Sequence, residues 1–374
     1  MNRFDAEERS NASLGDRLRA RIRTSGPITF SDWMNAALYD EVEGYYCRKD
    51  LVRWGRAGDY RTSPERTRLF AATFASYFAA LHGELGSPAE FTILEAGAGN
   101  GQFASGVLET LRTRFPDVFK LTRYLIDEAS ADGRQRAANL LEPFGEQVTF
   151  LTPPDTAVEI DAGIIFSNEL FDAMPVHRVR VVDGKLVELF VGTNDAGEFV
   201  WVEAEPSTAR LAEYFEELSG LPSEGHCAEV NLFAEAWLRR ATAALKRGYV
   251  VTVDYGAESE ELFHAPHRRD GTLRAFREHR FAENILDRPG SQDITATVNW
   301  SHLKLTGERY GLVNQSLERL DQFLLRVGFV EQLEHLTSEA SSQADAAILS
   351  SSAREMIFPD GMGSSFQVLI QRAC

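Results

Sequence analysis

Apolar and polar residues recur with two different periods along this chain, and the switches between them predict an α/β fold. Phe91-Thr-Ile-Leu-Glu95 is a short apolar run closed by an acid, the pattern of a strand covered on both faces. From Gln102 to Phe115 the apolar positions are Phe103, Val107, Leu108, Leu111 and Phe115, which is helical spacing. Leu121 to Glu128 is a second apolar strand ending in two acids. Further strands are expected at 147–151, 162–167, Gly248–Asp254 and Ser365–Gln371, with a helix at about 231–246. Strand, glycine turn, helix, strand and acid make a βαβ unit, and its repetition predicts an open, mostly parallel sheet.

The flanking segments follow other patterns. Leu14 to Ser25 is a short basic helix stopped by Pro27, and Ser31-Asp32 can cap a second helix through Tyr39. A longer helix is expected from Pro64, with Phe70, Phe74, Phe78 and Leu81 on one buried stripe. Val176–Val182 and Lys185–Val191 flank Asp183-Gly184, a hairpin signal. The expected organisation is a helical N-terminal region over 1–89, packed on a core over 90–374. That core carries insertions on the substrate side at about 176–230 and 257–310, the second rich in Arg and His.

Composition narrows the function. The 374 residues are 44% hydrophobic and 25% charged, ordinary globular values, with no apolar run long enough to span a bilayer. A formal net charge of −17 opposes nucleic-acid binding and favours a basic partner. The three cysteines, Cys47, Cys227 and Cys374, lack metal-like spacing, so neither a zinc site nor a disulfide framework is expected. The first residues lack an apolar signal core and are too acidic for a mitochondrial presequence, so a cytoplasmic location and a bacterial source are expected.

The candidate chemistry sits at the strand ends. Glu95-x-Gly97-x-Gly99-x-Gly101 is a turn in which alternate glycines admit a ligand close to the backbone. It differs from the dinucleotide fingerprint, whose third glycine position holds Gln102 here. An acid before the first glycine suits an amino or ribose donor better than a diphosphate. S-adenosylmethionine (SAM) is such a ligand, bound without a metal. Asp127 and Glu128 lie where a ribose-binding carboxylate belongs. Ser167, Asn168, Glu169 and Asp254 close later strands, and Asn168-Glu169 is the pair expected to act on the acceptor. A strand-end acid can instead cap the next helix, and for Asp254 that alternative stays open.

These residues carry a family resemblance. Gly55-Arg-Ala-Gly-Asp-Tyr-Arg-Thr-Ser-Pro64, Ile93 to Gly101, Phe166-Ser-Asn-Glu-Leu-Phe-Asp-Ala-Met-Pro-Val-His177, Val253-Asp-Tyr-Gly256 and Gly271-Thr-Leu-Arg-Ala-Phe-Arg-Glu-His-Arg280 stand in the order seen in MidA-like methyltransferases. The eukaryotic member of that family is an arginine methyltransferase of mitochondria that assists complex I assembly. The resemblance runs from about Gly26 to Ala373. It implies a class I SAM-dependent methyltransferase fold, a Rossmann-like α/β sheet, with SAM at the glycine turn and Glu128 as the ribose acid. It also implies a methyl acceptor on a protein nitrogen, with arginine foremost. Ala98 and Asn100 depart from the family's usual loop, as does Tyr60 from its usual Gly-Asp-Phe.

On this resemblance Asp59, Tyr60, Asp172, His177, Arg274 and His279 are candidate substrate contacts. A lone histidine is more often a packing or hydrogen-bonding residue, and Arg274 and Arg277 could equally be a solvated face. The partners expected are a protein substrate and, as an option, a second copy of the chain, with no nucleic acid and no membrane. A small-molecule methyltransferase and a SAM-binding assembly factor with little turnover are the rival readings.

Overall fold

The computed structural model describes residues 12–48, 51, 68–151, 158–218, 220–277, 280–358 and 362–374. Its centre is a seven-stranded sheet of β1 (Phe91–Ala96), β2 (Thr122–Asp127), β3 (Val148–Phe150), β4 (Gly163–Asn168), β5 (Gly248–Asp254), β6 (Leu312–Arg319) and β7 (Gln367–Ala373). The strand order is β6-β7-β5-β4-β1-β2-β3. β7 runs antiparallel to both of its neighbours, and the β3-β2-β1-β4-β5 pairings are parallel. Strand order therefore reverses between β1 and β4, which opens a crevice beyond their carboxyl ends.

The sheet is buried on both faces because its strands are apolar at nearly every position. Ile93, Tyr124, Ile164, Phe166, Val251 and Val253 pack on one side, against helices Arg68–Glu84, Gln102–Arg114 and Ala131–Leu141 and the C-terminal helices. Leu94, Leu125, Ile165 and Val250 pack on the other, against helices Leu232–Ala244 and Trp300–Arg309. Phe103 stacks on Phe166 with ring centroids 4.3 Å apart, tying the helix after the glycine turn to β4. Phe70, Phe74, Phe78 and Leu81 form the expected buried stripe of helix Arg68–Glu84. Leu69, Ala72 and Thr73 are buried too, because helix Phe329–Ser338 also packs on this helix.

A second sheet is built from the segment after β4 and the N-terminal residues. Lys185–Thr193 pairs with His177–Val182, Phe199–Ala204 and the short N-terminal strand Ile28–Thr29, and Cys227–Val230 pairs with His177–Val182. The hairpin forms at Asp183-Gly184, where both residues have positive φ (51° and 71°), as a two-residue turn of this kind requires. Helices Leu14–Ser25 and Phe30–Tyr39 pack on this sheet and on Ala275 and Ile294. The N-terminal residues are thus shared between two layers, with helix Arg68–Glu84 on the central sheet and the first two helices on the second sheet. The cap of Phe30–Tyr39 is Thr29, whose hydroxyl accepts from Asp32 N, so Ser31-Asp32 lies inside the first turn. A three-stranded sheet of Arg274–Arg277, Arg280–Phe281 and Asp293–Thr295 completes the wall.

Candidate functional site

A cleft of about 870 Å³ lies at the reversal point, lined by the β1 and β4 ends, the second insertion and the N-terminal segment. Its floor is the glycine turn. Gly97, Gly99 and Gly101 all have positive φ (72°, 55° and 82°), a conformation that costs other residues a steric penalty. Gly97 N donates to Asp127 O at 2.8 Å, locking the turn to the end of β2. Gly97, Ala98 and Gly99 line the cleft; Gly101 does not. A Cβ on Gly101 would meet Ala137 Cβ at 2.9 Å, so this glycine serves helix packing, which corrects its expected ligand contact.

Glu128 organises the cofactor side. One carboxylate oxygen accepts from Gly99 N at 2.7 Å and the other from Ser130 N at 2.7 Å. Each oxygen keeps a free lone pair, so the group can brace the turn and still accept ribose hydroxyls. Burial raises its pKa; the two backbone donors pull it down, and Asp127 raises it again. Asp127 also lines the cleft, with its pKa raised by burial and pulled back by Arg240 and Arg134. Glu95 sits lower, accepting from Tyr124 Oη at 2.7 Å. Burial pushes it up to about 8, so near neutral pH it is mostly an uncharged carboxyl beneath the turn. Gly133, in the next helix, leaves room for this arrangement. A Cβ there would lie 3.0 Å from Gly99 O and 3.2 Å from Glu128 Cδ. Gly133→Ala is expected to displace both and weaken SAM binding severalfold without touching the ligand; calorimetric titration measures it.

The opposite wall is built on β4 and β5. Asn168 ends β4 and donates from Nδ2 to Glu169 Oε1 at 3.1 Å. Glu169 has φ of +50°, an unusual backbone for a residue with a side chain and one often held at functional sites. Asp254, fully buried at the end of β5, accepts from Tyr255 N (2.9 Å), Phe171 N (3.1 Å) and Asp172 N (3.4 Å). It therefore holds the turn that carries Glu169 and Asp172. Burial and the Glu169 charge push Asp254 up to about 8 against those donors. Asp172 is 4% exposed, and burial together with Asp254, Glu169 and Asp293 raises it well above the usual carboxyl range.

Aromatic groups close the remaining side of the cleft. Tyr46 donates from Oη to Asp293 at 2.6 Å, and its carbonyl accepts from Ser130 Oγ at 2.7 Å. Tyr39 donates to Ala173 O at 3.0 Å and lies 5.4 Å from the Tyr46 ring. The N-terminal segment thus spans both ends of the cleft. Tyr255 carries Arg274 above its ring at 5.6 Å.

The fold brings together Glu95, Gly97, Gly99, Asp127, Glu128, Asn168, Glu169, Asp172 and Arg274 in one cleft. His177 stands elsewhere: it begins a strand of the second sheet, where Nδ1 lies 2.7 Å from the buried Glu188, so its expected substrate contact is corrected to a structural pairing. Asp59, Tyr60 and His279 lie outside the described residues. Sequence reasoning missed Tyr39, Tyr46, Tyr255 and Asp293. Among the described residues no group of three or more His, Cys, Asp or Glu could hold a metal ion.

The cleft fits SAM. Its turn admits close backbone approach, a carboxylate stands at the end of β2, and acids line it where a diphosphate would need donors. Comparison with known proteins agrees. The crystal structure of a COG1565 superfamily member from Burkholderia thailandensis, bound to S-adenosyl-homocysteine, superposes with a TM-score of 0.83 and 29% identity, over 96% of this chain and 91% of that one. Protein arginine methyltransferase NDUFAF7 homolog, mitochondrial, of Drosophila melanogaster is 27% identical over 97% of this chain and 85% of its own length. The human protein arginine methyltransferase NDUFAF7, mitochondrial, is 23% identical over 93% of this chain and 81% of its own. Those mitochondrial names lend the cytoplasmic expectation no support. Residues 73–317 match the family described as "Putative S-adenosyl-L-methionine-dependent methyltransferase". Fold, cleft and match agree, and the chain belongs to this family of SAM-dependent methyltransferases.

Proposed function

We propose that this methyltransferase transfers the methyl group to an arginine side chain of a protein. Asp172 is the observation that carries the reading. It is buried in the cleft wall, its Oδ1 has no hydrogen-bond donor among the described residues, and the charges acting on it most are other carboxylates. Such a group gains most from a ligand that is cationic and rich in N–H donors. A guanidinium is planar, always charged and carries five donors. The rings of Tyr39, Tyr46 and Tyr255 offer flat faces for it to lie against. The arginine methyltransferase names of the curated relatives support the same acceptor.

SAM would supply an electrophilic methyl on a sulfonium, so that an acceptor nitrogen forms the N–C bond in line as the C–S bond breaks and S-adenosyl-homocysteine leaves. The chain's own part is to orient that lone pair and hold the charge of the acceptor. Glu169 and Asp172 would grip the guanidinium edge, Asn168 would fix Glu169, and Asp254 would hold their turn in place. Little acid–base assistance is required, but the methylated nitrogen must lose one proton. The carboxylates beside it can receive that proton.

Raised carboxyl pKa values give this reading a sign. Asp254, pushed up to about 8, is largely protonated at neutral pH before an acceptor binds, and burial with the neighbouring carboxylates raises Asp172 well above the usual carboxyl range. A bound guanidinium favours their ionised forms, so binding should release protons. Acceptor affinity should correspondingly strengthen as pH rises through about 8. Calorimetry of an arginine peptide with the S-adenosyl-homocysteine complex, in two buffers of different ionisation enthalpy, reads the proton count. A citrulline peptide, of the same shape and no charge, should bind weakly and release none. Equal binding of both peptides would overturn the arginine reading.

A further inference from the structure

The acidic interior of the cleft has a rim of opposite sign. Strands Arg274–Arg277 and Arg280–Phe281 pair antiparallel, with Phe276 opposite Phe281 and Arg277 directly opposite Arg280. Residues 274–281 hold three arginines and one glutamate, in a chain of net charge −17. Like charges facing each other across an antiparallel pair oppose pairing. Neither Arg277 nor Arg280 forms an ion pair with a described residue, whereas Arg17, Arg210, Arg309 and Arg319 all do. Among the described residues no acid offsets this repulsion, and an anion placed between the two guanidinium groups would relieve it.

The same two strands are continuous with the acceptor site. Arg274 and Phe276 line the cleft on the face shared with Asp293 and Thr295. Phe281 packs on Phe276 with centroids 4.6 Å apart, yet is 70% exposed. A polypeptide whose arginine enters the cleft must leave it over a rim, because its backbone on either side cannot be buried with the side chain. This rim offers an exposed ring on the cleft face and, on the outer face of the same two strands, two arginines without an ion pair to a described residue, so a chain leaving over the edge passes first one and then the other.

We infer that these strands dock the substrate segment flanking the acceptor arginine and select acidic residues there. The inference rests on the arginine reading for what fills the cleft. An extended chain advances about 3.3 Å per residue, so the acid selected lies within a few positions of the acceptor. The occupant is thus a protein segment carrying one arginine with Asp or Glu close by. Lysine-rich or arginine-rich tails, which the net charge alone would attract, are disfavoured at this rim.

Peptide binding tests this without requiring turnover. Two labelled peptides with one arginine each, flanked by glutamates in one and lysines in the other, are titrated into the S-adenosyl-homocysteine complex at low ionic strength. The wild-type protein should prefer the glutamate peptide by about fivefold or more, and added salt should shrink the preference. Arg277→Glu combined with Arg280→Glu should abolish or invert it, while affinity for S-adenosyl-homocysteine and the unfolding midpoint stay unchanged. Equal binding of the two peptides, failure of both to bind, or a preference that survives the double substitution would overturn the inference. Replacing arginine by alanine in both peptides separates the two proposals. A flank preference that persists at full affinity leaves the rim assignment standing and removes the arginine reading.

Discussion

Glu128→Ala is expected to weaken SAM and S-adenosyl-homocysteine binding by about ten- to a hundredfold, the largest loss of any single change on the cofactor side. Two effects add. The carboxylate's open lone pairs lose the ribose hydroxyls, and a hydrogen bond to a charged group is worth about 1.5–3 kcal/mol. The turn also loses its brace, because Gly99 N and Ser130 N both donate to this carboxylate. An unpaired buried donor costs about 1–3 kcal/mol, so the unfolding midpoint should fall as well. Calorimetry with S-adenosyl-homocysteine separates this account from its neighbour in sequence. If Asp127→Ala causes the loss and Glu128→Ala does not, the ribose assignment moves to Asp127.

Glu169→Gln should do the opposite to stability and more to turnover. Glu169 adds charge to a buried group of acids, and its repulsion helps raise both Asp172 and Asp254. Removing that charge should leave the folded protein at least as stable at pH 7, as expected where function is bought with strain. Cofactor affinity should change little, since the turn that holds SAM lies on the other side of the cleft. Methyl transfer should drop at least about a hundredfold, the usual scale for losing a group placed against developing or bound charge. Full turnover by a folded Glu169→Gln protein would remove Glu169 from the acceptor site. Loss of turnover together with a lower unfolding midpoint would make the residue a structural one.

Local signals account for what the sequence revealed. Helix Leu14–Ser25 was readable from its own spacing and stop, and the turn at Asp183-Gly184 from the two residues that accept positive φ. β1, the glycine turn and helix Gln102–Arg114 were readable because each uses a period or a conformation that only certain residues permit. β6 was not, because Leu312-Val-Asn-Gln-Ser-Leu-Glu-Arg319 is an edge strand, half exposed, with too few apolar residues to show a strand's pattern. The β4 wall of the cleft was half visible. Asn168, Glu169 and Asp172 follow a strand and stood out, whereas Tyr46 and Asp293 meet across 247 positions of chain. No local period records such a meeting. His177 misled because a histidine beside a site motif resembles a site residue, while its partner Glu188 lies one hairpin further on. Gly101 misled differently: it stands in the glycine turn, but its φ and its space serve the neighbouring helix.

The most direct test of the central claim is mass spectrometric mapping of the acceptor. A lysate is incubated with the protein and SAM carrying a deuterated methyl group, and the proteins are then digested and fragmented. Labelled methyl groups on arginine side chains, present with the wild-type protein and absent with Glu169→Gln, are the predicted result. Label found only on small molecules, or on protein residues other than arginine, would contradict the acceptor assigned here while leaving the SAM-dependent methyltransferase family standing.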